Sequence, residues 1–477
     1  MTAAALNPTK RVAAGPVTDR QIAAYSIAAF AIMFLSQPVT AFVPQLYAKE
    51  FGFSLGALGM VLLAGRIIEA FNDQLFGFLS DRMRSKRWGR KPWIAAGATL
   101  MVIAAFFLLK PPPGIGLVYF FIWRVIYDMS ATMQNINYSA WGAELSDDYH
   151  TRSRVTAFRG FSSQMGSVLN DLLPIIVAWI GLTASSSYSM EMMGYFFLVA
   201  LVTIPLMTAA SLIGAPKGVA PVSTERPNIA GLYKAVKTNR PFWVYLGCFI
   251  MTGFGLGALQ LMFTFYDGYL KVGQWYPYMM TAFSIVTVVA IPFWTWLSKK
   301  IGKHRAYSLS MILASLSMNL FWLVNPDTLP VEVVAMFATG VVVIMGIGVA
   351  ASMVLPAAIL ADVIDYGTWK TGIVRTGSYF AFYLLTTKIA SAIGAAAGFM
   401  ALQAFGYDAK AGAINDDLAK FGIMVVVVLV PTILKVTGSL MLWNFPLDER
   451  RHGILAKRLR QRVARSQRDL EADESVA

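Results

Sequence analysis

Twelve stretches of this 477-residue sequence are apolar for about 20 residues or more, the length a helix needs to cross the hydrocarbon of a bilayer. They lie near 22–46, 55–80, 93–110, 115–144, 155–182 and 190–214, then near 242–268, 274–299, 306–324, 331–361, 375–406 and 420–445. In lipid every backbone polar group needs an internal partner, so such stretches are helical. The chain is 57% hydrophobic and only 14% charged, which excludes an ordinary soluble protein of this length. The expected fold is an all-α membrane protein with twelve transmembrane helices in two pseudo-symmetric six-helix bundles.

Charge placement sets the orientation. The net charge of +14 is concentrated in alternate loops. Arg82, Arg84, Lys86, Arg87, Arg90 and Lys91 follow the second span, and Arg152 and Arg154 follow the fourth. Lys299, Lys300, Lys303 and Arg305 follow the eighth, and Lys370 and Arg375 follow the tenth. The opposite loops hold little beyond Lys49, Lys110, Lys271 and Lys410. Both termini are therefore expected in the cytoplasm, with the chain in the inner membrane, and the basic excess needs no nucleic-acid partner. The N-terminal 20 residues lack the short apolar core of a signal peptide, so the first span is expected to direct insertion. The lone cysteine, Cys248, allows no disulfide framework.

A polar connection after the sixth span divides the chain. The expected organisation is a cytoplasmic tail (1–20), a first six-helix bundle (21–214), a cytoplasmic linker (215–240), a second bundle (241–446) and a basic cytoplasmic tail (447–477). Equivalent basic loops after the second and eighth spans point to an internal repeat. Ile229 to Lys237 is expected to form a short surface helix, and Arg450 to Arg468 a basic amphipathic one held near anionic headgroups.

Leu63 to Arg82 is the most informative span, because Arg66, Glu69 and Asp73 share one helical face inside it. A charge at mid-bilayer costs about 2.5–3.5 kcal/mol on insertion scales, so this face looks at a cavity or a partner. One reading is a structural knot neutralised by Arg66. Arg66 cancels one carboxylate only, and two acids a turn apart favour binding a cation or sharing a proton. The fourth span carries Arg124 and Asp128 at i,i+4, then Gln134, Asn135, Asn137 and Tyr138. Arg124 with Asp128 reads equally as a structural bridge or, with Trp123, Tyr127 and Gln134, as solute-cavity lining. Asn135 can lend a neutral carbonyl to a cation. The fifth span carries Arg159 and then Asn170–Asp171; Arg159 is expected to pair with a second-span carboxylate or a loop acid.

Asp362 and Asp365 end the tenth span, and Lys370 and Arg375 precede the eleventh, a charged latch for the cytoplasmic mouth. Lys388 lies about a dozen residues into the eleventh span, beside Ser391 and the small-residue run Gly394–Gly398. At that depth it needs a carboxylate or a watery cavity; Glu69, Asp73 and Asp171 are candidates, and snorkelling is the alternative. Gly52-Phe-Ser-Leu-Gly56 matches GxSxG but lies between membrane spans, and His150, His304 and His452 all fall in cytoplasmic segments. With no phosphate-binding loop and no clustered metal ligands, neither an enzyme nor a resident cofactor is expected.

The stretches GRIIEAFNDQLFGFLSDR with SKRWGRKPWI, NINYSAWGAELSDDYHTRSRVTAFR, ADVIDYGTWKTGIVRTG with Lys388, and PLDERRHGI together resemble the glycoside–pentoside–hexuronide:cation symporters. These form the melibiose-permease group of the major facilitator superfamily, and the likeness spans almost the whole chain. The resemblance implies alternating access and binding of Na⁺, Li⁺ or H⁺ by the second-span acids, here Glu69 and Asp73. It implies that Asn135 stands where the family has a cation-binding acid. It matches Lys388 and Arg159 to family positions, and these two, with Arg66 of the charged face, are expected to tune or couple the ion site. The family's charged residue early in the first span is replaced by apolar Ile32 and Met33; Ser139 stands for an aromatic and Asn137 for a proline. The ion site is thus retained better than the sugar site.

The expected function is Na⁺- or H⁺-coupled symport of an organic solute, a sugar or glycoside, by a monomer. The alternatives are a lysolipid or other amphipathic solute, as in a related branch of the family, and a non-transporting receptor.

Overall fold

The computed structural model describes residues 17–83, 85, 87–146, 149–218, 238–371 and 376–447, with 451, 453–455, 457–458 and 461. The surface helix expected at 229–237, Arg375, most of the basic tail and the side chain of Arg152 lie outside the described residues.

The described chain is helical. Its first half is α1 (Asp19–Gln37), α2 (Val43–Phe51), α3 (Leu55–Arg82), α4 (Lys91–Leu109), α5 (Leu117–Glu144), α6 (Tyr149–Trp179) and α7 (Met190–Gly214). The second half is α8 (Arg240–Ala258), α9 (Tyr276–Ile301), α10 (Lys303–Met318), α11 (Val331–Val349), α12 (Leu355–Thr371), α13 (Thr376–Ala404), α14 (Asp417–Met424) and α15 (Val430–Trp443). Joined across short irregular turns, these make twelve spans. Ten of them, among the described residues, are long and apolar enough to cross a membrane by length and composition alone. The other two are α5 and α6, where Arg124, Asp128, Arg159 and Asp171 interrupt the apolar run.

Polar side chains start several helices as their residue types dictate. Thr18 and Gln21 form a capping box on α1, and Ser54, Ser189 and Asn239 accept first-turn amides of α3, α7 and α8. Gly52 closes α2 at φ +68°, and Gly302 turns the chain from α9 to α10 at φ +92°, backbone that a side chain disfavours. Among the described residues three spans contain a π turn: Pro38–Phe42 between α1 and α2, Phe265–Tyr269 after α8, and Val425–Leu429 between α14 and α15.

The chain forms two compact units. One is Met1–Arg226 with Leu261–Thr281 and Phe399–Ala419; the other is Pro227–Gln260 with Ala282–Gly398 and Lys420–Ala477. Within the first, α1 packs on α6 and α7, and α4 on α5. Tyr25 and Tyr138 stack at 4.6 Å and donate to each other's carbonyl oxygens at 3.0 and 2.7 Å, with Trp141 edge-on to Tyr25. Leu261–Thr281 and Phe399–Ala419 join this unit at the end away from the Arg82–Lys91 loop. There the Lys49 ammonium meets Asp267 at 2.6 Å. Gln45 Oε1 accepts from the Thr264 amide (2.6 Å) and hydroxyl (2.7 Å), and Gln403 Oε1 accepts from the Ser54 hydroxyl (2.7 Å) and the Gly56 amide. In the second unit small residues bring backbones together. A Cβ on Gly438 would stand 2.8 Å from the Cys248 carbonyl, and Gly257 of α8 and Gly394 of α13 each lie against the other helix's backbone.

Candidate functional site

The charged face of α3 lies against α5. Arg66 Nη1 donates to Glu69 Oε2 at 2.7 Å, with both side chains largely shielded. One turn earlier, a Cβ on Gly65 would sit 3.7 Å from Asp128 Oδ2, so glycine lets the α5 acid close on α3. Arg124, 1% exposed, donates through Nε to Asp128 at 2.9 Å and through Nη1 to the Val39 carbonyl at 2.9 Å. Val39 belongs to the π turn that Pro38 opens, and Arg124 reaches across from α5 to that opened backbone. The Tyr127 hydroxyl points to the Leu35 carbonyl in the same region, at 3.4 Å. Glu69 is close enough for its charge to bear on Arg124. Arg66, Glu69, Arg124, Asp128 and Tyr127 therefore form one neighbourhood of α1, α3 and α5. Asp73 stands a turn further along α3 and is half-buried.

Two of the remaining fourth-span candidates face α4. Trp123 lies flat on Phe107 of α4 at 3.8 Å. Gln134, fully buried, backs onto Gly97 of α4, and neither polar atom of its amide has a hydrogen-bond partner among the described residues. Asn135 accepts from Arg159 Nη2 at 3.1 Å and from the Ser139 hydroxyl at 3.4 Å. The guanidinium of Arg159 also covers the Tyr138 ring at 4.9 Å. The expected pairing of Arg159 with a second-span or loop acid is replaced by this contact with Asn135, because the start of α6 runs along the Tyr25–Tyr138 pair rather than along α3. Asp171 is buried near Tyr188 and Tyr276.

The latch at 362–375 is arranged differently from its expectation. Asp362, Asp365 and Lys370 all stand on α12, which runs on to Thr371. Asp362 takes both oxygens of its carboxylate to Lys303 of α10, at 2.8 Å each, and Lys370 donates to the Thr238 carbonyl at 2.7 Å. Asp362 and Lys303 border a cavity of about 250 Å³ with His304 and Phe445.

Lys388 lines a larger cavity of about 480 Å³ in the second unit. On the same cavity stands Lys435 of α15, a residue with the same sequence signal as Lys388: a lysine inside an apolar span. Two basic-loop residues prove to be built into the first unit. Arg90 bridges Glu144 (2.9 Å), Ser80 (3.0 Å) and Asn137 (3.4 Å), and Lys91 donates to the Leu212 and Ala215 carbonyls at 2.6 Å each.

Helices long and apolar enough to span a membrane, with ion pairs and lysines held inside them, define a multi-pass membrane protein built around charged interior sites. The solved D-xylose–proton symporter shares this fold, with a TM-score of 0.64 at 14% identity, covering 90% of this chain and 98% of that one. A family described as MFS/sugar transport protein matches residues 24–449, and the chain belongs to it, within the glycoside–pentoside–hexuronide:cation symporters of the major facilitator superfamily. Among curated relatives, the isoprimeverose transporter of Lactiplantibacillus pentosus is 23% identical, covering 81% of this chain and 80% of its own. The glucuronide carrier protein homolog of Escherichia coli (strain K12) is 24% identical, covering 91% and 93%. The sodium-dependent lysophosphatidylcholine symporter 1 of Mus musculus is also 24% identical, covering 82% and 78%.

Proposed function

We propose that this transporter carries an organic solute, a sugar or glycoside, inward across the inner membrane, driven by a Na⁺ or H⁺ gradient. The observation that carries this reading is the face shared by α3 and α5, where three carboxylates, Glu69, Asp73 and Asp128, stand with two arginines, Arg66 and Arg124. Carboxylates in excess inside a membrane span favour a cation or a proton. Glu69 and Asp73 are the ion ligands. Asn135, held by Arg159, completes or tunes the site. Arg66 competes with the cation for Glu69, and Lys388 couples the ion to the solute. Arg124, Asp128 and Tyr127 shape the solute path beside the opened backbone of α1, while Trp123 and Gln134 pack α5 on α4.

Ion binding drives transport by favouring one conformation through differential affinity. The Asp362–Lys303 pair, with Asp365, acts in gating at the cytoplasmic mouth. The reading takes the chain as a monomer of two six-helix bundles with cytoplasmic termini, the orientation being supported by the placement of the loop charges. A lysolipid solute is the second reading, supported by the lysophosphatidylcholine symporter relative and by apolar Ile32 and Met33. Purified protein in proteoliposomes tests the mechanism: Glu69→Gln and Asp73→Asn are expected to abolish uptake driven by an imposed Na⁺ or H⁺ gradient, with insertion intact. Wild-type rates in both variants overturn it.

A further inference from the structure

Lys435 sits eight residues before the end of α15, about 12 Å of helix, which is further than its side chain can reach to leave the span. Its stem lies over Gly255 of α8, where a Cβ would stand 3.2 Å from Lys435 Cγ; the glycine makes the slot that holds the lysine in place. No acidic side chain lines the cavity that Lys435 borders, and Lys435 forms no hydrogen bond or ion pair among the described residues. Lys388 lines the same cavity from α13, and hydroxyls of Thr252, Tyr307 and Thr387 stand among apolar walls. A lone ammonium at this depth is costly unless water or an anion meets it. An anion in the cavity meets the Lys435 ammonium directly, and the Lys388 side chain lines the same space. The volume of about 480 Å³ suits a small organic ligand.

We propose that this cavity is an anion subsite in which Lys435, with Lys388, receives the carboxylate or phosphate of an otherwise apolar or glycosidic solute. The inference rests on the transport reading and narrows its substrate class to acidic solutes. Hydrogen bonds to a charged group contribute about 1.5–3 kcal/mol, which is about ten- to a hundredfold in affinity.

The test is equilibrium binding to the full-length protein in nanodiscs, with no ion gradient. It uses two matched pairs: 4-nitrophenyl β-D-glucuronide against the corresponding glucoside, and 1-oleoyl lysophosphatidate against 1-oleoylglycerol. The acidic member of one pair is expected to bind at least about tenfold more tightly than its neutral partner. The pair that discriminates tells a uronate from a lysolipid phosphate. Lys435→Met is expected to erase the preference while melting no lower than wild type, and Lys435→Arg to keep it. Equal binding within both pairs, or an undiminished preference in Lys435→Met, overturns the subsite. A preference without gradient-driven uptake supports the subsite while removing the symport mechanism.

Discussion

Arg124 serves two acceptors at once, a carboxylate four residues away on its own helix and a carbonyl of a different helix. Removing a partner from such a buried pair leaves a bare charge and costs about 3–5 kcal/mol. Arg124→Met is therefore expected to lower the melting temperature of the purified protein sharply, and the double variant Arg124→Met/Asp128→Leu to recover much of the loss. The same reasoning applies to Arg90, whose loss strands the buried Glu144. Arg90→Met is expected to melt lower than wild type, with Arg90→Lys between them, since lysine cannot reach Glu144, Ser80 and Asn137 with one fork. Residues like Arg124 and Lys388 announce themselves in the sequence, because a charge inside an apolar run always needs an explanation. Arg90 does not: it reads as one more loop cation until the fold brings Glu144 to it from 54 positions away. Lys303 and Asp362 are likewise invisible as a pair, being 59 positions apart.

Helices that touch through glycine have little freedom to move apart or to accept volume. Gly394 of α13 faces the Phe254 carbonyl of α8 at less than the distance any Cβ tolerates, whereas Gly340 of α11 faces open space. Gly394→Ala is expected to cost about 1–3 kcal/mol through forced backbone separation, and Gly340→Ala to be neutral or stabilising, as read by thermal unfolding of the two variants side by side. The extents of the helices were largely legible from hydropathy, and α5 and α6 were legible even though their charges take them below an apolarity threshold. The sequence reads Asp362 and Asp365 as the end of the tenth span, whereas α12 runs on past them and past Lys370 to Thr371. Its Asp-Val-Ile-Asp-Tyr-Gly run holds no proline and buries Val363, Ile364 and Gly367, so packing extends the helix. The π turns are the least legible elements. Pro38 marks one, but Val425–Leu429 is an unbroken apolar run whose extra residue is set by its neighbours.

At the scale of the molecule, the end of the first unit away from the Arg82–Lys91 loop is closed by a mixed clasp. Lys49–Asp267 is partly exposed and is worth about 1 kcal/mol or less, falling with salt, whereas Gln45–Thr264 is buried and neutral. Lys49→Asp is expected to slow uptake several-fold, and pairing it with Asp267→Lys to restore most of the rate. Restoration that persists unchanged at high ionic strength contradicts an electrostatic origin. Both contacts depend on residues that follow the π turn at Pro38–Phe42. That turn holds one residue more than an α-helical turn, and each residue rotates a helix by about 100°. Deleting a single residue within 38–42 would let α1 and α2 fuse into one ordinary helix. It would leave Gln45 and Lys49 in phase with Thr264 and Asp267, because the wide turn sweeps about the same angle with five residues as an α-helix does with four, and it would withdraw from Arg124 the opened Val39 carbonyl. The extra residue is thus absorbed where it stands: it offers Arg124 a carbonyl while the clasp downstream keeps its register.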